Sequence, residues 1–457
     1  MQGTGGPGQL SHGPCPRIAL LTPYDGGNLG DAAIQDSMIA NLRRRIPGVE
    51  FLGITLNCDN FVKRHGGQAF PLLASAGKHK KLEDSALDAH LPSPSRWTRR
   101  VRRALDLIPG LLSFTRRVRS FILALGRELF HSFEVLRVLR KQDLLIVSGG
   151  GQLDEEWGGP WRFPFSLCKW ALLARLAGVP LAVASVGACK ITSRESRWFL
   201  ATALRFASHR SYRDANSKAI VAKLLPEAAK DSVVPDLVFS MPDSEIPTPA
   251  GSIREIASGR TIVAISPIAY AKPVNWPTPD TVVHERYVQQ LSEVITALLR
   301  EGYFPVVVYS SLGDDESVIP DLLGRLDKLG PRAAGQIYFP KIQSWRDLAC
   351  VLRDCDYLVA SRLHSAILGF VTQTPTVAIS FDPKVDWVMR DLDQDDFLLH
   401  IRDFRAADVA AALHRLTNRR DAIVKQLSSY RQRILAESAQ QYDFLAGLAH
   451  AHCHSRA

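Results

Sequence analysis

The chain has 457 residues, 46% hydrophobic and 22% charged, and carries a net charge of +10. That length holds two or three domains, each able to bury its own core, and the balance excludes a disordered chain. No apolar run approaches the roughly 20 residues of a membrane span.

Met1–Pro16 is rich in Gly and Pro, without a cationic start or apolar centre, and is expected to be a disordered leader rather than a signal peptide. The seven cysteines are scattered and form no CxxC pair, which suits free thiols in a reducing cytosol. Next, Ile18–Leu21 reads as a buried strand. The loop Gly26-Gly27-Asn28-Leu29-Gly30-Asp31 follows it, and then a helix with apolar period near 3.6 through Ile34, Met38, Ile39 and Leu42. Glycines there let backbone approach a ligand, and the helix start favours negative charge. The loop is not GxGxxG, so it carries little dinucleotide signal. Asn28 and Gly30 are candidates to face a substrate. Asp31 either serves the helix dipole or acts as a base or sugar-hydroxyl acceptor.

After a strand at Phe51–Leu56, the segment from about 60 to 142 reads as a basic helical insertion. Between Arg96 and Lys141 lie twelve basic residues against three acidic ones, a net +9, interleaved with Leu, Ile and Phe. Such a stretch suits an anionic membrane surface. The plainer reading is a pair of short helices, broken at Pro109-Gly110, that pack on their own domain. Nucleic acid is not expected, since no recognised binding module accompanies the charge.

Parallel-strand patterns resume at Leu144–Val147, Leu181–Ala184 and His209–Tyr212, separated by helical segments. Gly149, Gly150 and Gly151 directly follow the first of these and are expected to face a substrate. Of Asp154, Glu155 and Glu156, at least two are expected to be merely solvated. Arg213 is either an anion clamp or half of a surface turn with Asp214. Asp243–Gly251 is polar, holds two prolines and reads as a linker. Strand–helix alternation restarts after it, with strands at Thr261–Ser266, Phe304–Tyr309, Gln336–Phe339, Tyr357–Ala360 and Thr376–Ser380. Long helices then run over Leu413–Leu448. The expected architecture is α/β: two Rossmann-like, doubly wound domains (17–242 and 252–457) facing across a cleft, with C-terminal helices.

Ser361-Arg362-Leu363-His364-Ser365 lies at the carboxyl end of the Tyr357–Ala360 strand, where open α/β sheets bind ligands. Arginine offers a charged fork for carboxylate or phosphate, and imidazole is the side-chain class that titrates near neutral pH. The competing reading makes Ser361 a helix N-cap beside two solvated neighbours. Lys384, after the Thr376–Ser380 strand, supplies another cation. None of the thirteen histidines shows a metal-binding spacing, and no Walker loop or nucleophile elbow is present.

Taken in order, Asn28-Leu29-Gly30-Asp31, Gly149-Gly150-Gly151, Ser211-Tyr212-Arg213-Asp214, Val234-Pro235-Asp236, Ser361-Arg362-Leu363-His364 and Lys384-Val385 resemble the polysaccharide pyruvyl transferase family. The resemblance implies a GT-B-like fold and a transferase that moves pyruvate from phosphoenolpyruvate onto two sugar hydroxyls as a cyclic ketal. It implies roles for Arg362, Leu363 and His364 in donor binding and catalysis, with Arg213 as an upstream arginine. Catalysis is then expected from His364, Arg362 and Asp31. Substrate binding is expected from Arg213, Leu363, Lys384, Asn28, Gly30 and Gly149–Gly151. No metal or cofactor is expected, phosphoenolpyruvate being a substrate. The expected partners are that donor, a glycan acceptor either free or lipid-linked, and an anionic membrane met through Arg96–Lys141. The expected location is cytoplasmic, or peripheral at the inner membrane face. Two other readings share parts of the sequence: a nucleotide-sugar glycosyltransferase and a non-catalytic membrane-associated scaffold.

Overall fold

The computed structural model describes residues 15–74, 111–156, 158–248, 251–273, 276, 278–329 and 336–456. The expected leader therefore falls almost wholly outside the described residues. So do Arg96–Arg103 of the basic stretch and the break at Pro109-Gly110.

Seven strands build the first sheet: β1 (Arg17–Leu21), β2 (Glu50–Thr55), β3 (Gln68–Pro71), β4 (Leu144–Ser148), β5 (Leu181–Val186), β6 (Ala207–Tyr212) and β7 (Ser232–Val233). Their spatial order is β3-β2-β1-β4-β5-β6-β7, and each paired neighbour is parallel. Unbroken apolar runs such as Leu144–Val147 suit strands covered on both faces. The period of two then sorts them. Ala19, Leu21, Leu145 and Val147 face one core, while Ile18, Leu20, Leu144 and Ile146 face the other. The first core lies under α3 (Leu111–Leu139), α4 (Phe163–Ala177), α5 (Arg194–Arg205) and α6 (Ala215–Ala222). The second is covered by α1 (Leu29–Arg45). Asn28 caps α1 by accepting from the amides of Gly30 and Asp31, and Arg43–Arg45 complement its far end.

The region assigned to the insertion begins with parts of the fold itself. α2 (Cys58–His65) and edge strand β3 extend the sheet beyond β2. Four residues ending in proline give almost no strand signal, which explains the omission. Beyond the undescribed stretch, α3 is one helix of 29 residues rather than a short one. Strong helix formers and the lack of proline after Leu111 account for its length.

Five parallel strands form the second sheet: β8 (Ile262–Ser266), β9 (Phe304–Val307), β10 (Tyr357–Ala360), β11 (Thr376–Ser380) and β12 (Leu398–His400), in the order β12-β11-β10-β8-β9. Its helices are α7 (Ser252–Ala257), α8 (Thr281–Arg300), α9 (Val318–Leu329), α10 (Trp345–Asp354), α11 (Leu363–Val371) and α12 (Pro383–Asp391). The strand expected at Gln336–Phe339 reduces to one bridge between Val306 and Tyr338.

The last helix, α13 (Ala406–Arg456), is continuous over 51 residues, roughly 75 Å. Val409, Leu413 and Leu416 bury near its start. Its later turns reach the first domain: Gln441 bonds Ser185 at 3.1 Å, Tyr442 pairs with Ser240 at 2.8 Å and Arg456 donates to the Gln142 carbonyl at 2.9 Å. The terminal helix is thus a strap across both domains. A second tie is Asp36 on α1, which accepts from Trp345 Nε1 at 2.7 Å and Arg346 at 2.6 Å while pairing with His65. Against its burial, these partners hold the Asp36 carboxyl below the usual range.

Candidate functional site

Open parallel sheets leave backbone groups free at the carboxyl ends of their strands, most of all where the strand order reverses direction. In the first sheet that reversal lies between β1 and β4, in the second between β8 and β10. The loops after these strands carry the sequence candidates. Main-chain bonds join the domains at this level: Leu29 donates to the Ser310 carbonyl and Leu312 to that of Gly27, both at 2.9 Å.

His364 sits in the first turn of α11, half-buried, and lies directly on Gly30 in the first turn of α1. A Cβ built on Gly30 would fall against the imidazole ring, so glycine is required by close approach and not by backbone angle. The Nε2 of His364 is buried without a hydrogen-bond partner among the described residues. Asp31 is the neighbouring carboxyl. Burial pushes its pKa up, opposed by the charges of His364 and Arg362.

Arg362 occupies the N-cap position of α11 but makes no capping bond. Its Nε instead donates to both carboxylate oxygens of fully buried Asp315, at 3.0 and 2.9 Å. Burial alone would weaken its hold on the proton; the Asp315 carboxylate outweighs this and raises its pKa. Ser361 is not an N-cap. It is buried and takes a hydrogen bond from Tyr287 at 2.9 Å.

Arg213 follows β6 and is buried, not part of a surface turn. The β5–β6 register breaks between Val183 and Val186, with Ser185 at φ 53°, and Gly187 just beyond it lies against Arg213. A Cβ on Gly187 would stand 2.5 Å from Arg213 Nε. Asp214 lies 3.4 Å from that Nε, and Asp236 Oδ2 is 4.0 Å from Nη1. Arg213 Nη2 and Asp236 Oδ2 are both buried without a hydrogen-bond partner among the described residues.

Lys384, in the first turn of α12, reaches from the second domain toward Gly151, whose Cβ would meet its Nζ at 3.7 Å. Nearby Asp154 is 5% exposed, and burial pushes it up to about 6 against the pull of Lys384. Glu155 is turned away to brace Thr192 and Ser193, and Glu156 is solvent-exposed.

The structure therefore gathers Asp31, Gly30, Arg362 and His364 on one side. Arg213, Lys384, Gly151 and Asp154 form the other, and Asp236 lies beside both Asp31 and Arg213. The three glycines have separate reasons. Gly149 (φ 54°) packs under Ile34, where a Cβ would clash at 2.6 Å, Gly150 (φ 71°) turns the loop beside Asp31, and Gly151 is open toward Lys384. Leu363 packs its side chain on the apolar core, and the Asn28 side chain is occupied as a cap. Sequence reasoning missed Asp315 and Gly187 as supporting groups, and it reached Asp236 only within the Val234-Pro235-Asp236 motif, without a role. Only the acidic run Asp314–Glu316 after β9 hinted at the first. Among the described residues, no group of three or more His, Cys, Asp or Glu is arranged to hold a metal ion.

A family profile described as polysaccharide pyruvyl transferase matches residues 28–383. The amylovoran biosynthesis protein AmsJ of Erwinia amylovora is 22% identical over 301 residues, which cover 63% of this chain and 69% of that protein. Among solved structures, the UDP-GlcNAc 2-epimerase of Methanocaldococcus jannaschii is similar with a TM-score of 0.52 at 9% identity, over 87% of this chain and 92% of that one. HepE of Anabaena, solved with UDP and glucose, gives 0.52 at 12% identity over 93% and 98%. At such identities the likeness concerns the fold, which is GT-B-like.

Two outcomes test this geometry. Gly30→Ala is expected to lower turnover about as much as removing the imidazole, since the methyl displaces His364; near-parental activity would show that the ring is not held here. For Asp154, a native carboxyl that keeps its proton to about 6, where the ordinary value is 3.8, makes the fold lose stability as pH climbs between those values. Asp154→Asn should therefore gain on the parent from about pH 4 to pH 7, by on the order of 3 kcal/mol at most. Denaturant unfolding at several pH values reads this directly, and a difference independent of pH would contradict the assignment.

Proposed function

This chain belongs to the polysaccharide pyruvyl transferase family, and we propose that its donor is phosphoenolpyruvate and its product a cyclic pyruvate ketal on a sugar. It is a transferase whose family implies a polysaccharide acceptor, and its relative AmsJ is an amylovoran biosynthesis protein. What supports the finer reading is one observation. Three cationic side chains from both domains, each beside a carboxylate, flank the carboxyls of Asp31 and Asp154 and an imidazole nitrogen that has no hydrogen-bond partner among the described residues.

Phosphoenolpyruvate concentrates a carboxylate and a phosphate on three carbons, so its site needs several positive groups. In this reading Arg362, Arg213 and Lys384 grip those charges, each already steadied by a carboxylate: Asp315, Asp214 with Asp236, and Asp382. Ketal formation adds two hydroxyl oxygens to the central carbon and expels inorganic phosphate. Of the two hydroxyl protons released, one balances the proton gained as the methylene becomes methyl, and the other balances the charge of the departing phosphate. His364 is the proton donor on the phosphoenolpyruvate side. Asp31 or Asp154 takes protons from the sugar; burial raises both above the ordinary carboxylate range, which makes them better bases near neutral pH.

Phosphate release from phosphoenolpyruvate is the defining assay. It is expected only when an acceptor glycan is present, and release with no acceptor dependence would remove the ketal chemistry. His364→Ala is expected to lose about 10²–10⁴-fold in kcat at saturating donor. Titration calorimetry separates the nucleotide-sugar alternative, which predicts heat from a nucleotide sugar and none from phosphoenolpyruvate.

A further inference from the structure

Helix α3 is amphipathic in the wrong sense for a helix that merely covers a domain. One of its faces does anchor it: Val135 and Leu139 are buried, His131 bonds the Pro71 carbonyl at 3.0 Å, and Glu128 pairs with Lys169 of α4. The opposite face should be polar. Instead Ile122, Leu125, Leu129, Phe130 and Phe133, which fall on one stripe at helical spacing, are between 48% and 68% exposed. Residues 122–127 are exposed on all sides, so this part of α3 stands clear of the domain surface. Contiguous apolar patches of this kind on a folded surface mark something that covers them.

The charges around the stripe say what. Arg127, Arg137, Arg140 and Lys141 are all exposed along this helix and the turn that ends it. Its two carboxylates are occupied, Glu128 by Lys169 and Glu134 by Arg137 at 3.3 Å. The Arg137 guanidinium lies 4.2 Å above the Phe133 ring, an apolar body with its charge held at the rim. A second copy of the chain would set like charge against like charge. A negatively charged lipid surface meets both the greasy stripe and its cationic border. Among the described residues no helix is long and apolar enough to cross a membrane.

We propose that the outward stripe of α3 docks this protein on an anionic lipid bilayer, lying in the interface without spanning it. The cleft then works beside a membrane surface, where an acceptor carried on lipid is within reach.

Sedimentation of the full chain with vesicles tests this, independently of turnover. At low salt, binding is expected to phosphatidylcholine vesicles containing phosphatidylglycerol and to be much weaker with phosphatidylcholine alone. The double variant F130D/F133D should lose roughly tenfold or more of that affinity while keeping its thermal midpoint, because both rings are already in water. R127Q/R140Q should weaken binding to the anionic vesicles only. Absence of parental binding, or F130D/F133D binding undiminished, would overturn the proposal. So would a concentration-dependent dimer that F130D/F133D dissociates while no vesicle binding is seen.

Discussion

The contact between His364 and Gly30 is the constraint on which the site depends. It is the point where two helix starts from two different domains come within touching distance, and it exists because one of them carries no side chain. An imidazole placed there sits near the positive end of both helices and beside Asp31, with its Nε2 buried. Around it the main chains of the two domains are hydrogen-bonded, Leu29 to Ser310 and Leu312 to Gly27. The relative position of the domains is therefore set at the candidate site, with α13 and Asp36 securing it from further away.

Holding several cations together in a partly desolvated cleft is unfavourable unless each has a counter-charge. The fold answers locally. Arg362 has Asp315, Arg213 has Asp214 and Asp236, and Lys384 has Asp382 and Asp154 within its field. The compensation is incomplete at particular atoms. Arg213 Nη2 and His364 Nε2 are buried without partners among the described residues, and an orphaned buried donor strongly favours a ligand that satisfies it.

Much of this was legible in the sequence because parallel α/β sheets write themselves plainly. Strands β1, β4, β5, β8, β10 and β11 are short apolar runs followed by a helical period, and function in such sheets gathers at their carboxyl ends. That pattern singles out Asp31, Arg213, Arg362, His364 and Lys384 as candidates, and the structure brings them near one another. It could not reach Asp315 or Gly187, whose value lies in meeting a residue dozens of positions away. Edge strands β3 and β12 were missed for a different reason: four and three residues carry too little pattern to read. The course of α13 was hidden too. Its polar contacts with Ser185 and Ser240 involve residue types that look like surface positions until a partner helix covers them.

Helix α3 shows the opposite failure, a signal that was strong but could not be given a direction. The sequence states that apolar and basic residues alternate along it, and periodicity says they segregate onto faces. Periodicity alone does not say which face turns inward. Two sets of apolar residues compete for the domain: Val135 with Leu139, and Phe130 with Phe133. The first set wins because His131, Glu128 and Lys169 lock its side of the helix through α4, and polar groups buried there need those partners. The second set is then left outward, ringed by arginines. An apolar face that folding cannot use is retained against its cost in solubility only where something outside the domain covers it.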